Sequence, residues 1–153
     1  MKAWLNDVFR GRPTWMNAVL VFCAFMTFVY VPWDFFWKPT EFDEEVWFGV
    51  LFRGTAAKWL ELPHWIVYAI LKYGLRQMRP WAGSLAALYS AQIAVGMFIW
   101  NFSYLSGVFF PLLVATIGAA PFTFLTMAFW SAPEFHAPKK SLRERYGDWG
   151  VVT

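Results

Sequence analysis

The sequence predicts an all-α fold, a polytopic integral membrane four-helix bundle, and two observations lead to it. Apolar residues make up 59% of the 153 residues and charged residues only 15%. The charges fall in short clusters, and the apolar runs between them approach the roughly 20 residues that a helix needs to cross a bilayer. An aromatic content of 22% would also leave a soluble domain with far too much apolar surface in water. We therefore treat residues 1–153 as a single transmembrane domain.

Four runs satisfy the length requirement for membrane-spanning helices. We predict spans at about residues 16–33, 62–77, 82–102 and 108–130, followed by a basic tail at 132–153. The second run is the shortest in apolar residues and contains Lys72. It is therefore the span that the sequence supports least.

The positive charges indicate the orientation of these spans. They cluster before the first span, between the second and third, and after the fourth: Lys2, Arg10 and Arg12; Lys72, Arg76 and Arg79; Lys139, Lys140, Arg143 and Arg145. Cytoplasmic loops of membrane proteins carry an excess of Lys and Arg. We therefore predict a multi-pass integral membrane protein with both termini in the cytoplasm.

The segment between the first two spans is the longest predicted loop. Thr40 followed by Asp43 resembles a helix-capping pair, and apolar residues then recur at helical spacing at Val46, Trp47, Val50 and Leu51. We predict an amphipathic helix lying on the outer interface within residues 39–64 and covering the mouth of the bundle. Gly49 and Gly54 weaken this helix, and a solvated loop with a charged face is the alternative.

Polar side chains inside apolar spans are candidate ligand contacts, because polar groups in hydrocarbon need partners. Gln92 lies near the centre of the third span, with Tyr89 within one helical turn of it. The full set of predicted ligand-binding residues is Tyr30, Tyr68, Tyr73, Tyr89 and Gln92. The alternative for Gln92 is a hydrogen bond that joins two helices.

Three ionisable residues near the outer span ends are candidate catalytic groups: Asp34, Glu61 and His64. An acid/base set at the mouth of an aromatic cavity would suit protonation of an apolar substrate, because aromatic faces stabilise cations. The alternative is that these groups are solvated or paired across the loop.

The sequence predicts no cofactor and no metal. Glu61 and His64 have the spacing of a di-iron motif, but such sites need two of these pairs and two further glutamates. The chain has one cysteine and two histidines, and it carries no phosphate-binding or dinucleotide-binding motif.

The expected partners are membrane lipids and a hydrophobic small molecule. Small residues at four-residue spacing, Gly83, Ala87 and Ala91, would also permit close contact with a helix of another membrane protein. The net charge of +3 arises next to apolar segments, a pattern that indicates a membrane and no nucleic acid.

Several short motifs resemble the EXPERA family, which includes the emopamil-binding sterol isomerase and the sigma-2 receptor. They are Val31-Pro32-Trp33-Asp34, Pro63-x-Trp65, Trp81 ahead of Ala87-Leu88-Tyr89-Ser90, and Ala120-Pro121-Phe122. The resemblance implies a four-helix membrane module with cytoplasmic termini, a long outward first loop and an acid after the first helix. This chain departs from the family at Tyr73, where members place an acid, and at Gln92, where some place a histidine. We therefore expect this chain to share the family's pocket more than its isomerase chemistry.

Two functions therefore compete. The first is a small membrane protein that binds a lipid or sterol-like ligand in an intramembrane pocket, with isomerase-type acid/base chemistry as an open question. The second is a non-catalytic accessory or assembly subunit of a larger membrane complex, which the small size and the lack of motifs favour.

Overall fold

The structure is a computed structural model that describes residues 9, 11–104 and 110–136. This part of the chain contains four long helices and one short one. They are α1 (Thr14–Trp37), α2 (Thr55–Arg76), α3 (Pro80–Tyr104), α4 (Pro111–Trp130) and α5 (Pro133–His136). Three stretches, Thr14–Trp37, Pro80–Tyr104 and Pro111–His136, are long and apolar enough to cross a membrane. The prediction of a mainly helical protein with membrane-spanning helices is confirmed to this extent.

The predicted boundaries hold to different degrees. The spans at 16–33 and 82–102 lie within α1 and α3. Residues 105–109 and the tail beyond residue 136 lie outside the described residues, and with them the start of the fourth predicted span. The helix that contains most of the span predicted at 62–77 starts earlier than expected, because α2 begins at Thr55 and Pro63 lies inside it. A proline there removes one backbone hydrogen bond, which the rest of a 22-residue helix tolerates.

The first loop contains a β-hairpin where we predicted an interfacial amphipathic helix. A short 3-10 turn (Thr40–Phe42) precedes strands β1 (Glu44–Trp47) and β2 (Val50–Arg53), which pair antiparallel. The turn residues Phe48 and Gly49 have φ of 49° and 83°, as in the two-residue turns that match strand twist. Valine and aromatic side chains also favour strands over helices. The helical spacing of the apolar residues was therefore a misleading signal.

The helices pack in successive pairs. The contact between α3 and α4 is the most extensive, and α1 packs on α2. Gly118 of α4 lies directly against the Asn101 side chain of α3, where any larger residue would clash. Close approach of this kind is typical of small residues between membrane helices.

A cluster of buried apolar side chains, which we call the apolar core, joins α1, α2, α3, α4 and α5. Trp15 packs edge-on against Phe129 with ring centroids 4.9 Å apart. The buried members are Met16, Leu20, Cys23, Val31, Tyr68, Leu71, Leu75, Ala82, Ala86, Ala87, Phe129, Ala132 and Phe135.

The small residues predicted to contact a partner are mostly used within the chain. Gly83 is buried against the ring of Phe135, and Ala87 is buried in the apolar core. Ala91 is half-buried. The close approach that this spacing permits is therefore made in part by the short helix α5.

Candidate functional site

A cavity of about 230 Å³ lies between α1, α2, α3 and the hairpin. Seven of the eight residues predicted for the site line it: Tyr30, Asp34, Glu61, His64, Tyr68, Tyr89 and Gln92. The remaining lining residues are mostly apolar: Met26, Val31, Glu45, Val46, Ile93, Gly96 and Met97. Polar groups chosen from different parts of the sequence thus converge on one space.

Tyr73 does not reach this cavity. It is 50% exposed on the outside of α2, whereas Tyr68 on the same helix is buried. Five residues separate the two tyrosines, which places them about 140° apart around an α-helix. Tyr73 therefore offers a comparison residue that shares the chemistry of the cavity tyrosines without their position.

Two lysines neutralise part of the acidic end of the site. Lys38 Nζ lies 2.9 Å from Asp34 Oδ1 and 2.8 Å from Asp43 Oδ1. Lys58 Nζ lies 3.2 Å from Asp43 Oδ2 and donates a hydrogen bond of 2.6 Å to the Lys38 carbonyl oxygen. Burial on its own lowers the pKa of Lys38, but its hydrogen bonds to Asp43 and Asp34 outweigh that effect and raise it. Asp34 is therefore a paired carboxylate, with its partner one helical turn away.

Among the described carboxyl groups that line the cavity, Glu61 is the one with no ion-pair partner. Its residue is 3% exposed, and Oε2 has no hydrogen-bond partner. Glu61 lies inside α2, and oxygens of the buried carboxyl groups of Asp34 and Asp43 lie within 4.8 Å of one of its own. Burial without a partner disfavours the charged form of a carboxyl group, and a protonated carboxyl group can act as a proton donor.

Glu45 reaches the cavity from the hairpin. Side chains alternate along a strand, so Glu44 points outward to Arg53 at 2.9 Å while Glu45 turns inward. Burial, with a further contribution from Asp34, raises the pKa of Glu45 to about 7. Sequence reasoning missed this residue because it assigned residues 44–53 to a helix. The Phe48-Gly49 turn was the signal that could have revealed it.

His64 connects the hairpin to the interior of the cavity. Its Nδ1 shares a hydrogen bond with the Tyr89 hydroxyl, and its Nε2 lies 3.6 Å from Glu45 Oε2. The Trp47 ring packs on the imidazole with centroids 4.4 Å apart. When the Tyr89 hydroxyl donates to Nδ1, the Nε2–H faces Glu45. The three groups then form a row of carboxyl, imidazole and phenol.

Gln92 contributes a free acceptor. Its Oε1 is buried and has no hydrogen-bond partner. The geometry thus gives no sign of the interhelical hydrogen bond that was the alternative for this residue. An unpaired amide oxygen facing a cavity can accept a hydrogen bond from a bound molecule.

The carboxylates of Asp34, Asp43 and Glu61 could in principle hold a cation. One oxygen from each lies within 4.8 Å of the others, and all three residues are buried. The ammonium group of Lys38 already bonds two of the three. Lysine side chains therefore supply the positive charge here, and the remaining groups are suited to acid/base chemistry and hydrogen bonding.

No family model, curated protein or solved structure matches the chain.

Proposed function

We propose that this protein crosses the membrane four times with both termini in the cytoplasm and binds a lipid or sterol-like molecule in the cavity between α1, α2 and α3. The observation that carries the proposal is the convergence of seven polar residues, predicted from separate segments, on one cavity. The motifs that resemble the EXPERA family support it, since Asp34 and Tyr89 of those motifs both line the cavity.

The fourth crossing would be α2. Its 22 residues extend about 33 Å, enough for the hydrocarbon core of a bilayer. Its ionisable residues concentrate in the turns before His64 and in the last turns near Arg76. Charges near helix ends can reach the headgroup region.

The walls of the cavity suit an amphiphile. Met26, Val31, Ile93 and Met97 offer apolar surface, and Gln92 and Glu61 offer unpaired polar atoms. Drug-sized ligands usually occupy 300–1,000 Å³. Since the cavity measures about 230 Å³, it would hold the polar end of such a molecule while the remainder lies in the bilayer.

The resemblance to a family that includes a sterol isomerase suggests that the site moves a carbon–carbon double bond. Protonated Glu61 would transfer its proton to one alkene carbon, leaving a carbocation flanked by aromatic rings. A neighbouring carbon would then lose a proton to the Tyr89 oxygen as the Tyr89 hydroxyl proton passes to His64 Nδ1. Glu45 beside Nε2 would stabilise the imidazolium, and return of the proton to Glu61 would restore the starting state.

Photolabelling in lipid nanodiscs tests the binding proposal. The wild-type protein should be labelled by a diazirine-bearing sterol, and Gln92→Leu and Asp34→Ala should each abolish labelling while the protein remains folded. Tyr73→Phe is the matched control and should label normally, because Tyr73 lies outside the cavity. Undiminished labelling of both Gln92→Leu and Asp34→Ala would overturn the proposal.

The second candidate function is a non-catalytic accessory or assembly subunit. Only 17% of the most apolar window of Pro111–His136 is buried, against 39% for Pro80–Tyr104. A helix so little covered by its own chain leaves a broad face for another membrane protein or for lipid. Native mass spectrometry after gentle extraction separates the two candidates. Stoichiometric co-purifying proteins favour the subunit, and a single chain with a lipid-sized adduct favours the pocket.

A further inference from the structure

Helix α1 changes its hydrogen-bonding register in the middle. Residues Met26–Tyr30 form a π-helical turn between the α-helical segments Thr14–Phe25 and Val31–Trp37. The Val31 N–H donates to the Met26 carbonyl oxygen, five residues back instead of four. Single π turns inside α-helices occur mostly at functional sites.

The sequence accounts for this turn through Pro32. In the π register, the Thr27 carbonyl would receive its hydrogen bond from the N–H of residue 32, which a proline lacks. The α-helical donor for Thr27, the N–H of Val31, is already bonded to Met26. The Thr27 carbonyl is therefore left without a backbone donor from its own helix.

Trp65 of α2 supplies the missing donor. Its indole Nε1–H bonds to the Thr27 carbonyl oxygen at 2.8 Å. An unpaired carbonyl in the interior of a membrane protein is costly, so this contact between helices stabilises the π register. Pro32 prevents the regular register, and Trp65 stabilises the one that replaces it.

The turn lies where the buried side of α1 passes from the apolar core to the cavity. Each residue of an α-helix advances about 100°, so a π turn rotates everything after it relative to everything before it. Before the turn, Met16, Leu20 and Cys23 face the apolar core. From the turn onward, Tyr30 and Asp34 line the cavity, and Val31 both lines it and packs in the apolar core.

We infer that Pro32 and Trp65 are positioning residues that hold the π turn of α1 and thereby aim Tyr30 and Asp34 into the cavity. The inference rests on the proposed function for its ligand. The rotation of α1 itself is independent of any ligand.

Two variants break the turn in different ways. Pro32→Ala restores an N–H that the Phe28 carbonyl can accept in a regular α-helix, so thermal stability should hold or rise. Trp65→Phe leaves the Thr27 carbonyl without its donor, so stability should fall. In both, sterol photolabelling should drop by about tenfold, the loss of one polar contact. If the two residues had only a structural role, labelling would fall only where stability falls. Pro32→Ala distinguishes the two roles, because its labelling should drop while its stability holds or rises.

Each variant has a matched control. Trp59→Phe removes an exposed indole from α2, and Pro121→Ala removes a proline inside α4, away from the cavity. Both should label normally. A tenfold loss of labelling in either control would overturn the assignment to Pro32 and Trp65.

A distance measurement tests the rotation without a ligand. Nitroxides attached at the exposed positions Trp37 and Ile66, in a Cys23→Ala background, should move by several ångströms relative to each other when Pro32→Ala is introduced. Unchanged distances in both Pro32→Ala and Trp65→Phe would overturn the inference, as would changed distances with undiminished labelling. If the wild-type protein takes no sterol label at all, the proposed function fails, and the nitroxide distances alone decide whether the two residues set the rotation.

Discussion

The two ends of the molecule are stabilised in opposite ways. The apolar core holds its helices together with Leu, Met, Ala and Phe side chains and contains no charged group. The other end, residues 34–64, which we call the hairpin end, buries Asp34, Asp43 and Glu61. Burying charges stabilises a fold little, if at all, unless every charge is paired, whereas apolar packing is favourable without such a condition. The contrast indicates that the apolar core is stable through packing alone, whereas the hairpin end depends on each buried charge keeping its partner.

The largest expected effect comes from breaking the charge pairing at the hairpin end. Asp43→Ala leaves Lys38 and Lys58 without a shared carboxylate, which should lower the free energy of unfolding by about 4 kcal/mol. The measurement is thermal or denaturant unfolding in detergent micelles. Glu44→Ala is the matched control, because its pair with Arg53 is exposed and contributes less than about 1 kcal/mol. Equal losses of unfolding free energy in the two variants would show that the ion pairs of Asp43 with Lys38 and Lys58 contribute no more than an exposed pair.

A somewhat smaller effect is expected from the apolar core. Leu75 is fully buried, and Leu75→Ala should lower the free energy of unfolding by about 3 kcal/mol through lost packing and a new cavity. Sterol photolabelling per folded molecule should be unchanged, because Leu75 does not line the site. Loss of labelling in the folded protein would mean that the two ends of the molecule are energetically coupled.

The smallest expected effect is the pH dependence of the hairpin end. The pKa of Glu45 rises from 4.5 to about 7 on folding, mainly through burial. The folded protein therefore binds this proton more tightly than the unfolded chain, so the stabilisation is complete below pH 4.5 and is lost as pH rises through about 7. Between pH 5 and pH 8 the unfolding temperature should therefore fall. The free energy of unfolding should fall by about 1 kcal/mol over this range, after allowance for the partial exposure of Glu45.

Glu45→Gln tests this assignment directly. The variant should show a flatter profile over the same range, since a glutamine does not titrate. Leu75→Ala should keep the wild-type slope although it is less stable throughout. If the unfolding temperature of Glu45→Gln depends on pH as steeply as that of the wild type, other groups cause the titration. Glu61 would then be the next residue to substitute.

The apolar core and the hairpin end also differ in how far the sequence predicted them. Long apolar runs predicted α1, α3 and α4, because hydrophobic length is a local property that no tertiary contact overrides. Helical spacing also brought Tyr89 and Gln92 to one face, and both line the cavity. The same helical periodicity places Tyr73 outside the cavity, since Tyr73 lies on another face of α2 from Tyr68.

The hairpin end was harder because its structure depends on contacts between distant residues. Residues 44–53 carry an apolar pattern that fits a helix, yet they pair as strands whose tip rests on α3 at Gly96 and Ile99. Glu45 joins the site only through that pairing. The ion pairs of Lys38 and Lys58 with Asp43 likewise join segments whose approach no local pattern specifies.

The burial of Cys23 has a practical consequence for studying this protein. It is the chain's only cysteine, and it is 1% exposed in the apolar core. A maleimide can reach it only when α1 separates from its neighbours, so the rate of alkylation reports the free energy of that opening. Fluctuations confined to the hairpin end would leave this rate unchanged. The alkylation rate of Cys23 thus measures opening of the apolar core and is insensitive to motion of the hairpin end.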